Sequence, residues 1–353
     1  VQRESYTWSG GASRRVAGRR YNAAARSRFG IGEVEGVPSE GDRLNLTEHA
    51  IRLRTPNPVS VSQATDFVLD AGRVVDRSRM FDADVSPYCF DLEDRKLLCV
   101  STPAIAGATF FYQAQRQQAR SVIKVPFAAL PEASKSPTLI FSIGRCGSTL
   151  LHKAFEAAGA GAVSEPDYFT QAALAGHDAP ELRSAIGGAT ELLRYAVIKL
   201  RAECNNAALL IAGAFREPKL LFLLRDPVEW AMSARRVSQN ATPEGIAALL
   251  RALLVGLDDL TRHYDVRICY YEELRFLNPD YINALLGWTG SNAKIPPAAA
   301  AQLARQDAQA GSTISRLSVK GTPDDPSFGQ AFHREWSTLR PVELIKRLDL
   351  ARL

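Results

Sequence analysis

The stretch Phe141-Ser-Ile-Gly-Arg-Cys-Gly-Ser-Thr-Leu150 constrains this chain more than any other. Residues 138–141 form an apolar run with the character of a buried strand, and Leu150, Leu151, Ala154 and Phe155 recur at the spacing of a helix's inner face. Between them lies a turn with Gly144 and Gly147, closed by Ser148 and Thr149. Such a turn, feeding a strand into a helix N-terminus, directs several backbone N–H groups at one point, and the helix dipole favours an anion there. The stretch therefore reads as a phosphate-gripping loop. The plain alternative is an ordinary glycine turn capped by Ser148.

A nucleotide-triphosphatase loop, G-x-x-x-x-G-K-[ST], needs a Lys after its last glycine to reach the β- and γ-phosphates. Ser148 occupies that place, and the cation, Arg145, comes before the glycine instead. This order resembles the 5′-phosphosulfate loop of sulfotransferases that use 3′-phosphoadenosine 5′-phosphosulfate (PAPS). A second segment predicts a strand over 220–224 and then a helix, with Asp226 as N-cap and Pro227 in the first turn. Its Arg225-x-Pro227, with Ser233 two helical turns on, resembles the 3′-phosphate site of the same family. Residues 266–274 resemble the family's strand ending in Tyr-Glu-x-Leu.

The resemblance implies that Arg145 stabilises the bridging oxygen of the leaving nucleotide. Gly147, Ser148 and Thr149, in one loop with Cys146, would hold the 5′-phosphate. Arg225 would meet the 3′-phosphate as a planar fork, and Ser233 would add a hydroxyl. Tyr271 would lie near the adenine, or serve as core. Arg316 and Lys320, before Gly321, would close over the cofactor as a basic-glycine loop, or form a solvated loop.

Sulfuryl transfer needs an in-line acceptor oxygen, a base for its proton, and cations to absorb charge on the leaving phosphate. Many cytosolic members of the family place a His two residues after a Lys on an intervening strand. Here Lys199 fits but Arg201 stands where that His would be, so no histidine base is expected. Bacterial and carbohydrate-modifying branches use a Glu after the first helix, and the resemblance assigns that role to Glu165, with Lys199 near the sulfuryl group or substrate. Read without the resemblance, Glu165-Pro166 is a loop dipeptide, Asp167 a helix cap and Lys199 an exposed strand end. His152 faces either the site or solvent. His49, His177, His263 and His333 have no partners at metal-ligand spacing, and no metal is expected.

A net charge of +5 suits a polyanionic cofactor, and without an RNA-binding aromatic signature or zinc-finger spacing no nucleic-acid partner is expected. Cys89, Cys99, Cys146, Cys204 and Cys269 form no C-x-x-C pair, a pattern of reduced thiols in a cytoplasmic protein. At Cys146 the helix N-terminus and Arg145 predict a lowered thiol pKa, although tolerance of a small residue suffices to explain its presence. No apolar run is long enough to span a membrane.

Residues 1–43 are a basic segment, with seven Arg and one Glu in the first thirty positions. Residues 44–136 read as a β-rich region of open role, with strands expected at 85–90, 96–100, 108–113 and 120–127 and a linker at 131–137. From 137 to 353 the expectation is a P-loop domain. Its apolar strands at 138–143, 195–200, 219–224 and 266–271 alternate with helices, including an apolar-striped one at 243–262. The last sixty residues look looser. The expected fold is α/β, a P-loop-type parallel sheet flanked by helices with an N-terminal β-rich appendage. The expected activity is PAPS-dependent transfer to a hydroxyl, or an amine, of a small-molecule or carbohydrate acceptor. An atypical small-molecule kinase and a non-catalytic nucleotide-binding protein are the alternatives.

Overall fold

The computed structural model describes residues 46–56, 61–103, 105, 107–175, 180–238, 240–308 and 325–350. Strands β1 (Leu46–Arg54), β2 (Phe67–Leu69), β3 (Arg73–Val75), β4 (Val85–Asp91), β5 (Lys96–Ser101) and β6 (Ser121–Pro126) make an antiparallel sheet. Its order is β2-β1-β6-β5-β4, with β3 also on β1. Helix α1 (Phe111–Gln118) lies between β5 and β6. The second sheet contains β7 (Thr138–Ser142), β8 (Ala162–Ser164), β9 (Val197–Lys199), β10 (Lys219–Leu224) and β11 (Val266–Tyr270). All its pairings are parallel, in the order β11-β10-β7-β9-β8. Between its strands run α2 (Ser148–Ala157), α3 (Tyr168–Ala175), α4 (Pro180–Leu193), α5 (Ala208–Ala212), α6 (Pro227–Val237) and α7 (Pro243–Thr261). After β11 come α8 (Tyr271–Leu274), α9 (Pro279–Trp288), α10 (Pro297–Arg305), α11 (Pro326–Leu339) and α12 (Val342–Arg347).

The parallel sheet forms because its strands are apolar on both faces. Every residue of β7 is buried, as is β10 beyond Lys219. From the central β7 the chain moves outward to β8, returns through β9, and crosses to β10 on the opposite flank. That reversal leaves a crevice at the carboxyl ends of β7, β9 and β10, where ligands bind in open α/β sheets.

The two sheets share one hydrophobic core. Leu46, Phe90 and Leu97 from the first belong to the same buried cluster as Phe141 and Phe222 from the second, with Tyr168 of α3 between them. Phe90 meets Tyr168 edge-on at 5.8 Å. The Gln171 side chain, on α3, accepts from the Phe90 N–H and donates to its C=O, each at 2.5 Å, which caps the outer edge of β4. The expected linker at 131–137 is extended chain tied to α4: Glu191 accepts from the Ser134 and Lys135 N–H groups at 2.6 Å. Gly187 and Gly188 make that approach possible, since a Cβ on either would fall within 2.6–2.7 Å of Ala133 or the Pro131 carbonyl.

Three expectations need correction. Residues 108–113 do not form a strand; α1 starts at Phe111. The aromatic run suggests a strand, but burial of Phe111, Ala114 and Gln115 follows a helical stripe, and the Ala/Gln/Arg composition beyond favours a helix. Strand β8 was not expected, being three residues of ordinary composition. Described residues near the C-terminus are helical: Phe328, Phe332 and Trp336 recur every four positions and seat α11 on α6 and α7. Among the described residues no helix is long and apolar enough to cross a membrane.

Candidate functional site

The turn after β7 adopts the conformation that its glycines permit. Gly144 and Gly147 have φ of 73° and 84°, and Arg145 between them is also left-handed, at 53°. A non-glycine residue there costs about 1–2 kcal/mol, a strain found most often at functional positions. Gly147 is the N-cap of α2 and offers no side chain to its first turn, so Ser148 is not the cap. The first-turn amides of α2 are left for another acceptor. The Ser142 and Ser148 hydroxyls lie 3.3 Å apart, and Asn205, beyond β9, donates to the Ser142 carbonyl at 2.8 Å. Nothing in the sequence singles out Asn205.

The β10–α6 junction forms as its sequence predicts: the Asp226 carboxylate accepts from the Glu229 N–H at 2.9 Å, and Pro227 occupies the first turn. Because β10 neighbours β7, this junction touches the glycine turn. Arg145 Nε donates to Ser233 Oγ at 3.3 Å, and Arg225 Nη1 donates to the Arg145 carbonyl at 3.2 Å. Trp230 Nε1 donates to the Gly144 carbonyl at 3.0 Å. Arg225 Nη2 pairs with Glu229 at 3.1 Å, but its Nε is buried without a hydrogen-bond partner. Tyr271 wedges between the two segments, its ring 4.5 Å from the Arg225 guanidinium. Burial lowers the Arg145 pKa, and the like charges of Arg225 and Arg236 lower it further; Asp307 and Tyr271 oppose them. Cations concentrated in this way suit a multiply charged anion.

On the β9 side, Lys199 Nζ pairs with the Glu165 carboxylate, and both side chains are largely buried. Glu165 is left-handed at φ 60°, and its N–H donates to the Lys199 carbonyl at 2.7 Å. The two residues assigned to base and cation thus meet across the β8–β9 ends. Arg201 is a structural residue: it pairs with the fully buried Asp167 at 3.1 Å and lies over the Tyr112 ring at 5.1 Å. Burial acts against its charge, but Glu203, Asp167 and Glu165 hold its pKa above the ordinary value. Asp167 also accepts from the Ser62 N–H at 2.5 Å, which ties the N-terminal region to the site.

The expected low pKa of Cys146 is overturned. Its thiol is wholly buried, and burial pushes it up to about 11 against the opposing effects of Ser142, Ile143, Lys199 and Arg225. The thiol points inward, so Cys146 can offer a ligand only its main chain. His152 does not face solvent: it is buried on the inner side of α2, within reach of the Lys199 charge. Arg316, Lys320, His177 and the basic segment 1–43 lie outside the described residues.

No family model and no curated protein matches this chain. Among solved structures it is similar to a mouse sulfotransferase complexed with PAP, at 13% identity and TM-score 0.33 over 62% of this chain and 82% of that one. It is also similar to a sulfotransferase from Mycobacterium avium, at 13% identity and TM-score 0.36 over 61% and 79%. A third is retinol dehydratase in complex with androsterone and inactive cofactor PAP, at 13% identity and TM-score 0.29 over 62% and 80%.

Proposed function

We propose that this chain is a PAPS-dependent sulfotransferase acting on a hydroxyl, or an amine, of a small-molecule or carbohydrate acceptor. The observation that carries the reading is the contact of two anion-type loops through Arg145 and Ser233, 3.3 Å apart, beside a buried unpartnered Nε of Arg225. A nucleoside with phosphates on both its 5′ and 3′ oxygens matches two such loops on neighbouring strands. A triphosphate would call for a Lys after Gly147, where Ser148 stands.

In this reading the α2 first-turn amides, with Gly147, Ser148, Thr149 and the Cys146 main chain, hold the 5′-phosphate. Arg225 and Ser233 hold the 3′-phosphate, and Tyr271 supports Arg225 near the adenine. PAPS supplies an activated sulfuryl group. Glu165 takes the acceptor's proton as its oxygen bonds to sulfur and the S–O bond to the 5′-phosphate breaks. Arg145 absorbs the charge left on that phosphate, and Lys199 lies near the sulfuryl group or the substrate. The products are a sulfate ester and adenosine 3′,5′-bisphosphate. Five free, buried thiols favour a reducing compartment, and the reaction is assigned to the cytoplasm.

Calorimetry tests the reading. Adenosine 3′,5′-bisphosphate should bind tightly without a divalent ion; tight magnesium-ATP uptake with indifference to the bisphosphate refutes it and favours a kinase. Labelled PAPS incubated with a metabolite extract should yield sulfated products. Glu165→Gln should abolish that transfer with nearly unchanged bisphosphate affinity, and comparable turnover in the variant removes Glu165 from the chemistry.

A further inference from the structure

Both ring nitrogens of His152 and the hydroxyl of Ser164 are buried without a hydrogen-bond partner, and each residue is only 1% exposed. Native interiors rarely leave such groups unsatisfied. These atoms share a neighbourhood. Ser164 stands opposite Lys199 in the β8–β9 register, so their side chains leave the same face of the sheet. Helix α2 packs on these two strands, and its His152 feels the Lys199 charge and turns a ring nitrogen toward the Ala162 carbonyl, in a geometry too poor to count as a hydrogen bond. The Phe110 ring covers the Lys199 ammonium at 5.9 Å.

Lys199 has three ammonium hydrogens and a flexible four-carbon stem, and Glu165 is its carboxylate partner. Burial, with the Lys199 charge second, drives His152 down to about 4, so its imidazole is neutral near pH 7. A neutral imidazole presents one acceptor nitrogen, and a serine hydroxyl also accepts. Two unsatisfied acceptors thus lie beside a cation engaged elsewhere. The ammonium occupies the Glu165 carboxylate, so an acceptor hydroxyl can reach that carboxylate only once Lys199 moves.

We propose that His152 and Ser164 form a second seat for the Lys199 ammonium, so that Lys199 alternates between blocking Glu165 and releasing it. His152 and Ser164 are positioning residues. The inference rests on the sulfotransferase reading only in naming Glu165 the base; the seat itself is a property of these side chains.

The test uses the full chain with ¹⁵N-labelled imidazoles and no nucleotide. The chain has five histidines, and loss of a signal pair in His152→Gln assigns the relevant one. Glu165→Gln removes the first seat. One ring nitrogen of His152 should then shift upfield, as an acceptor nitrogen does when it gains a donor. The shift should vanish in Glu165→Gln/Lys199→Met. Glu165→Asn, suited to the left-handed backbone there, serves as a second variant. Unmoved His152 signals in both Glu165 variants overturn the proposal, as does a shift that persists without Lys199. Titration of the wild type with adenosine 3′,5′-bisphosphate separates the two readings: failure to bind refutes the sulfotransferase assignment, while the variant spectra alone decide the seat.

Discussion

Replacing Gly147 by alanine puts a methyl group where the structure has no room and a side chain where the backbone resists one. With φ at 84°, the left-handed conformation costs an L-residue roughly 1–2 kcal/mol. The new Cβ would lie 2.7 Å from Tyr271 Cδ2 and 3.2 Å from Leu274 Cδ2, far inside van der Waals contact. Overpacking of this kind adds about 1–3 kcal/mol. The total expected loss is therefore about 2–5 kcal/mol, measured by urea denaturation with tryptophan fluorescence. Trp230 is a local reporter, because its indole is bonded to the Gly144 carbonyl. In a Tyr271→Ala background most of the steric part should disappear, only the looser Leu274 contact remaining, so the loss should fall toward about 1–2 kcal/mol with a clear coupling in the double-mutant cycle. Displacing Tyr271 should also weaken adenosine bisphosphate binding, since its ring braces Arg225. A stability loss below about 1 kcal/mol would refute the argument, because neither the left-handed turn nor the Tyr271 contact would then exist as described.

Arg225→Ala should weaken adenosine 3′,5′-bisphosphate binding by about 1.5–3 kcal/mol, the range for a charged hydrogen bond; unchanged calorimetric affinity would rule out the 3′-phosphate assignment. Asp167→Ala takes one carboxylate from the buried guanidinium of Arg201, with Glu203 at 3.2 Å remaining, and should cost about 1–3 kcal/mol in denaturation, with a loss near zero counting against the pair. His152 titrates at 6.5 when unperturbed and at about 4 in the fold, so its contribution to stability is complete above pH 6.5 and lost as pH falls toward 4. That span is worth about 3 kcal/mol, and urea midpoints at pH 7 and 5 should differ less in His152→Gln than in the wild type. Equal differences in the two proteins would mean that His152 is not held neutral.

What could be read ahead of the structure was local. The β7–α2 and β10–α6 junctions follow from apolar runs, two glycines, and Asp226-Pro227 at a helix start, all interactions within a few residues. Short or mixed signals misled. The aromatic run before α1 imitates a strand, and β8 is too short to show a period. At Cys146 the cationic neighbours in sequence predict a low pKa, but the thiol is wholly buried and desolvation outweighs charge.

The sequence by itself determined the strand–turn–helix units and the charges they carry, since backbone conformation and periodicity depend on residues a few positions apart. Only the tertiary structure decided which units meet. The strand order sets Arg145 against Ser233 and Lys199 against Glu165, and packing beneath α2 buries His152. Those pairings span 34 to 88 residues along the chain. They arise from the joint burial of many apolar side chains, a property that no local stretch of sequence contains.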